Sequence, residues 1–114
     1  MNGMLDRTLY VALSRPLGAK EALAPHLAAH LAYMIDLEER GVLFASGPFF
    51  EGGAGTGAGM TIVRAGSLAE ARAVLEADPF VAGGVRTFDL HEWHLMEGCL
   101  QLTVLASKQR GVVP

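Results

Sequence analysis

The chain is predicted to be an α+β protein, a ferredoxin-like βαββαβ sandwich, and three observations predict it. Apolar stretches of strand character recur at residues 8–14, 42–46, 60–64 and 86–96. Segments with helical spacing separate the first stretch from the second and the third from the fourth. Between the second and third lies only glycine-dense chain, so those two strands are expected to close as an antiparallel hairpin. The resulting order makes two βαβ units whose helices share one face of an antiparallel sheet.

Residues 8–14, TLYVALS, are nearly continuous in hydrophobicity, as in a strand covered on both faces. Arg15-Pro16-Leu17-Gly18 ends them. Pro25 disfavours α conformation at Ala24, so residues 19–24 are expected as a loose lead-in turn, with the helix starting at about Pro25. Leu27, Leu31, Met34 and Leu37 follow at spacings of three and four and define a stripe expected to be buried. Asp36, Glu38, Glu39 and Arg40 crowd the last turn, and Gly41 suits a left-handed terminator. The second strand, 42–46, is expected to break at Gly47-Pro48. EGGAGTGAG, residues 51–59, reads as the hairpin loop before the third strand at 60–64. Ser67 with Glu70 three residues on matches a capping box, opening a helix that turns Leu68, Ala71, Val74 and Leu75 inward and stops at Asp78-Pro79. A turn at 80–84 leads to the fourth strand, 86–96. Beyond Gly98, residues 100–106 are expected as an extra strand, and KQRGVVP, 108–114, as a frayed tail.

With 114 residues, 51% of them hydrophobic and 18% charged, the chain is expected to form one domain with a core over about 8–97 and an added strand and tail at 98–114. A net charge of −3 gives no footprint for nucleic acid or anionic membrane. The positive mean hydropathy of +0.31 points to apolar surface covered by another subunit. The sandwich leaves one sheet face bare, and pairing two copies face to face covers it, which predicts a homodimer and leaves higher assembly open. Cys99 is the lone cysteine, which excludes an intramolecular disulfide and a Cys-rich zinc site; an inert thiol is the expectation. MNGMLDRT has no signal-peptide character and no stretch is long enough for a transmembrane helix, so a cytoplasmic protein is expected.

Among the chemistry-bearing residues, His30 stands out at the edge of the first helix's apolar stripe. A lone histidine there is more often a packed, hydrogen-bonded residue than a catalyst; a functional reading needs a carboxylate to fix its tautomer. Asp78, at the end of the second helix, is the best candidate, because in this sandwich the two helices lie side by side; an Asp before Pro is also ordinary turn chemistry. Tyr33, three residues after His30, would line the same cleft or stand exposed. Gly53, Gly55 and Ala58 fit a loose dinucleotide fingerprint, but that motif needs a helix after it and a strand follows here. The segment is a hairpin loop, or a flap over the pocket. His26 and His30 have a metal-compatible spacing, whereas His91 and His94, three apart on a strand, point to opposite faces; no metal is expected. Trp93 shares a strand face with Asp89 and His91, as core or interface packing or as a wall for an aromatic ligand.

HLAYMIDLEERGVLFASGP (30–48) followed by ADPFVAGGV (77–85) resembles the YCII-related, or YciI-like, family over most of the chain, from Thr8 to about Trp93. The family pattern is a helix beginning His-Leu, a glycine, an apolar strand ending Gly-Pro, and later Asp-Pro-Phe or Asp-Pro-Tyr. The resemblance implies a dimeric α/β-barrel fold and a His-Asp pair in a pocket, falling on His30 and Asp78. It also implies chemistry of the kind its few assigned members perform, elimination on chlorinated hydroxylated aromatics. Relatives often carry arginine three residues before the histidine, where this chain has Leu27; the anion clamp is expected to be lost, so the substrate class is not carried over.

These readings predict a small-molecule lyase or isomerase that needs no cofactor. His30 would move a proton and Asp78 orient it, with Ser46, Gly47, Pro48, Phe80 and Trp93 lining the ligand. Hydroxylated aromatics or lactones are the ligands to try. The competing reading is a non-catalytic, dimeric ligand-binding or accessory protein of the same fold.

Overall fold

Strands Arg7–Pro16 (β1), Leu43–Glu51 (β2), Ala54–Val63 (β3) and Arg86–Leu95 (β4) form one antiparallel sheet in the order β2-β3-β1-β4. Helices Leu27–Glu39 (α1) and Leu68–Glu76 (α2) connect β1 to β2 and β3 to β4, and a one-turn helix, Pro79–Ala82 (α3), follows α2. This is the ferredoxin-like arrangement, in which β3 inserts between the parallel β1 and β2. The computed structural model describes residues 7–99, 103–105 and 110–112. No helix among them is long and apolar enough to cross a membrane.

Alternation along β1 decides the two faces. Tyr10 and Ala12 point to the helices and form the core with Val63 of β3 and Ala71 and Leu75 of α2. Removing a leucine side chain of this kind from water contributes about 1.5–3 kcal/mol. Leu9, Val11 and Leu13 point the other way, opposite Trp93, His91 and Asp89 of β4. That far face is only partly bare: Leu9 and Ile62 are buried, while Leu13 and Trp93 are 40% and 39% exposed.

Local chemistry explains the elements. Ser67 accepts the Glu70 N–H at 3.1 Å, as a capping box requires, while the Glu70 carboxylate accepts the N–H of Gly66 at 2.8 Å. Gly41 ends α1 at φ 74°. Gly52 and Gly53, at φ 58° and 85°, make the two-residue turn between Glu51 and Ala54, because a type I′ hairpin turn needs two left-handed residues.

Several expectations are corrected. The lead-in to α1 is a 3-10 helix, Lys20–His26, that contains Pro25; the α-helix starts two residues beyond the proline. Gly47-Pro48 does not end β2, which runs on to Glu51 with register shifts between Leu43 and Ala45 and between Pro48 and Phe50. An edge strand tolerates the missing proline N–H. Most of the glycine-dense segment is strand β3 and not loop. The stripe on α1 is not buried: only Leu37 is, and Leu27 and Leu31 are 47% and 50% exposed. Leu68 is likewise 43% exposed. The extra strand is Thr103–Leu105 (β5), pairing with Arg110–Val112 (β6) in a separate two-stranded sheet, so the middle of the tail is paired and not frayed. The rest of the expected strand and tail lies outside the described residues.

A candidate active site under the first helix

Between α1 and the sheet lies a cavity of about 920 Å³. Leu27, Leu31, Met34 and Ile35 form its roof. Part of its floor is made of small residues, with Ser14, Ser46, Gly47, Gly57 and Gly59 along the lining, beside the larger Leu43 and Phe88. Gly59 also lets β2 and β3 approach closely, since a Cβ there would lie 2.9 Å from the Gly47 carbonyl oxygen.

The polar end of the cavity is built by Asp-Pro-Phe. Pro79 holds Asp78 in extended conformation, φ −59° and ψ 127°. From there the Asp78 side chain folds back and accepts the Phe80 N–H at 2.9 Å, capping α3. The same Oδ1 lies 2.8 Å from His30 Nδ1. Asp78 is 7% exposed and its carboxylate can only accept, so Nδ1 carries the proton and donates it. In the neutral imidazole the lone pair then lies on Nε2. The imidazole stacks on the Phe80 ring, centroids 4.1 Å apart and planes 17° apart. Three consecutive residues thus supply the carboxylate, its backbone restraint and the surface that holds the imidazole flat.

His30, Asp78, Phe80, Ser46, Gly47 and Pro48, all expected at the site, line this cavity. Trp93 does not. It sits beside Leu9 on the far face of the sheet, sharing that face with Asp89 and His91 as alternation predicts, but with the sheet between it and the cavity. Tyr33 is turned away too: its hydroxyl donates to the Val74 carbonyl oxygen at 2.7 Å, tying α1 to α2. Burial raises the Tyr33 phenol, with Arg40 opposing and Asp78 and Asp36 adding. Among the described residues no group of three His, Cys, Asp or Glu side chains could hold a metal.

Sequence reasoning missed Arg86. It lines the cavity from β4, donating from Nη1 to Ser14 Oγ at 2.8 Å and from Nη2 to the Gly57 carbonyl oxygen at 3.2 Å. Its Cζ lies 5.2 Å from the Phe80 ring centroid. Burial holds its guanidinium below the ordinary arginine value, and the Asp78 charge offsets part of that; an arginine so placed stays charged. The signal was available: residues 86, 88 and 90 share one strand face, and two of the three are apolar.

Residues 8–94 match the YCII-related domain. No curated protein sequence matches the chain. Among solved structures, 5-chloro-2-hydroxyhydroquinone dehydrochlorinase (TftG) from Burkholderia phenoliruptrix, in complex with 2,5-dihydroxybenzoquinone, is similar with a TM-score of 0.63 and 26% identity. The similarity covers 75% of this chain and 92% of that one.

Proposed function

The chain belongs to the YCII-related domain family, and from that premise we propose that it is a small-molecule enzyme of lyase or isomerase type, acting on hydroxylated aromatic or related cyclic substrates. The observation that carries the reading is the 2.8 Å contact between His30 and Asp78 at the edge of an open, apolar-walled cavity. With Nδ1 held by Asp78, Nε2 is the basic nitrogen, as a general base requires. Nε2 takes a proton from the bound substrate, and the electron pair released expels a leaving group elsewhere on the ring. Where no group leaves, the proton returns at a second position and the product is an isomer. The elimination catalysed by the similar dehydrochlorinase supports the first course.

The test is chloride release from chlorinated hydroquinones, and isomerisation of hydroxylated rings and lactones, by the unsubstituted protein, His30→Ala and Asp78→Asn. Loss of about 10²–10⁴-fold in kcat is expected for His30→Ala. In Asp78→Asn the Phe80 N–H keeps the amide oxygen toward Nδ1, but the negative charge that stabilises the imidazolium formed on proton transfer is gone, so a smaller loss than in His30→Ala is expected. Ligand binding without His30-dependent turnover leaves the non-catalytic binding reading in its place.

We also propose a homodimer formed through the far face of the sheet, where Leu13 and Trp93 remain exposed. Light scattering is expected to give twice the chain mass, and Trp93→Glu to reduce it to one; a monomeric unsubstituted protein ends this proposal.

A further inference from the structure

A guanidinium half withdrawn from water still needs its charge met, because an unneutralised ion in an apolar setting is costly. The two protein groups that accept hydrogen bonds from Arg86, Ser14 Oγ and the Gly57 carbonyl, are both neutral. No salt bridge to it exists among the described residues, and its buried Nε has no hydrogen-bond partner. Asp78 acts on it through space, but the Asp78 Oδ1 already serves His30 and the Phe80 N–H. The cation is therefore oriented by the protein without being neutralised by direct contact, and it faces the cavity. Phe80 links the two ends: the imidazole stacks at 4.1 Å and the guanidinium lies at 5.2 Å from the same ring. The two groups are thus no farther apart than those distances together, a span that one substituted ring can bridge.

We propose that Arg86 holds an ionised oxygen of the ligand, a phenolate or enolate on a planar ring whose other end meets His30. This rests on the reading of the cavity as a substrate site and names the class of substrate. The position of the charge fits the chemistry: as a proton leaves the ring for Nε2, negative charge grows on a conjugated oxygen, where a fixed guanidinium stabilises it. It also revises the expectation attached to Leu27. The cavity keeps a cation for an anionic ligand, Arg86 of β4 in place of an arginine at position 27, with Lys20 of the lead-in helix also in the lining.

The experiment is a calorimetric titration with two probes, 2,5-dihydroxybenzoquinone, which carries ionised oxygens near neutral pH, and its neutral dimethoxy counterpart. The unsubstituted protein is expected to prefer the anion. Arg86→Gln is expected to weaken anion binding about ten- to a hundredfold and to leave the neutral ring unaffected, with Arg86→Lys in between. Should Arg86→Gln fail to fold, the arginine side-chain nitrogen resonances of the unsubstituted protein decide, moving with the anion and not with the neutral ring. Equal affinity for the two probes, unchanged anion binding in Arg86→Gln, or no binding of the anion overturns the proposal. Turnover in His30→Ala is read separately: if it persists, the proton-transfer reading falls while the titrations still decide the role of Arg86.

Discussion

α1 and α2 lie on the same face of the same sheet, yet one is packed and the other is not. Under α2 the space is filled: Tyr10, Ala12 and Val63 meet Ala71 and Leu75, all buried. Under α1 the adjoining rows of the sheet offer Ser14, Ser46, Gly47 and Gly59 beside Leu43 and Phe88, and Leu27 and Leu31 stay 47% and 50% exposed. Only Leu37, near the C-terminal end of α1, is fully packed. The contrast shows how so small a fold makes room for a cavity: small residues lie under part of one helix, while the other helix closes on the core.

Paired substitutions can break this contrast. Leu75→Ala is expected to destabilise the fold by about 2–5 kcal/mol, whereas Leu31→Ala should stay within about 0.5 kcal/mol and weaken ligand binding instead. Denaturant unfolding of both variants measures it, and equal losses would mean that α1 is as tightly packed as α2. Gly59→Ala comes next, with about 1–3 kcal/mol lost because its Cβ would meet the Gly47 carbonyl oxygen at 2.9 Å. Gly47→Ala, where nothing lies within 4 Å of an added Cβ and the new methyl would join Met60 and Leu13 on the far face, should fold normally; a thermal melt separates the two. The smallest effect concerns the tie between the helices. Tyr33→Phe removes the hydrogen bond to Val74, a loss of about 1 kcal/mol. Because burial raises the phenol in the folded state, the native protein holds that proton more tightly than the unfolded chain. Its contribution is complete below the ordinary phenol value and is lost as pH climbs through the raised one. Unfolding measured from neutral to strongly alkaline pH should fall less steeply for Tyr33→Phe.

Element order, the capping box, the Gly41 terminator and the hairpin were legible because each depends on residues close in sequence. The pairing of His30 with Asp78 is legible too, since the topology sets the two helices side by side. What escaped depends on what a residue faces. The stripe on α1 has the spacing of a buried face, and spacing cannot tell a packed neighbour from a cavity. The glycine-dense segment has the composition of a loop, and only its pairing with β1 and β2 makes it a floor. Trp93 was placed on the correct strand face, but which face looks toward the cavity is settled by the direction in which the helices cross. Arg86 is hard to single out because a charged residue opening a strand usually lies at a solvent-exposed end.

Asp78 has two obligations on one oxygen, the imidazole of His30 and the first turn of α3. His30 has no comparable duty to the backbone. In a library of variants scored for protein abundance as well as activity, the two positions should therefore separate. Lesions at His30 would leave well-expressed, inactive protein, whereas most lesions at Asp78 would lower the amount of protein along with its activity. An abundance screen alone would then file half of the dyad under folding.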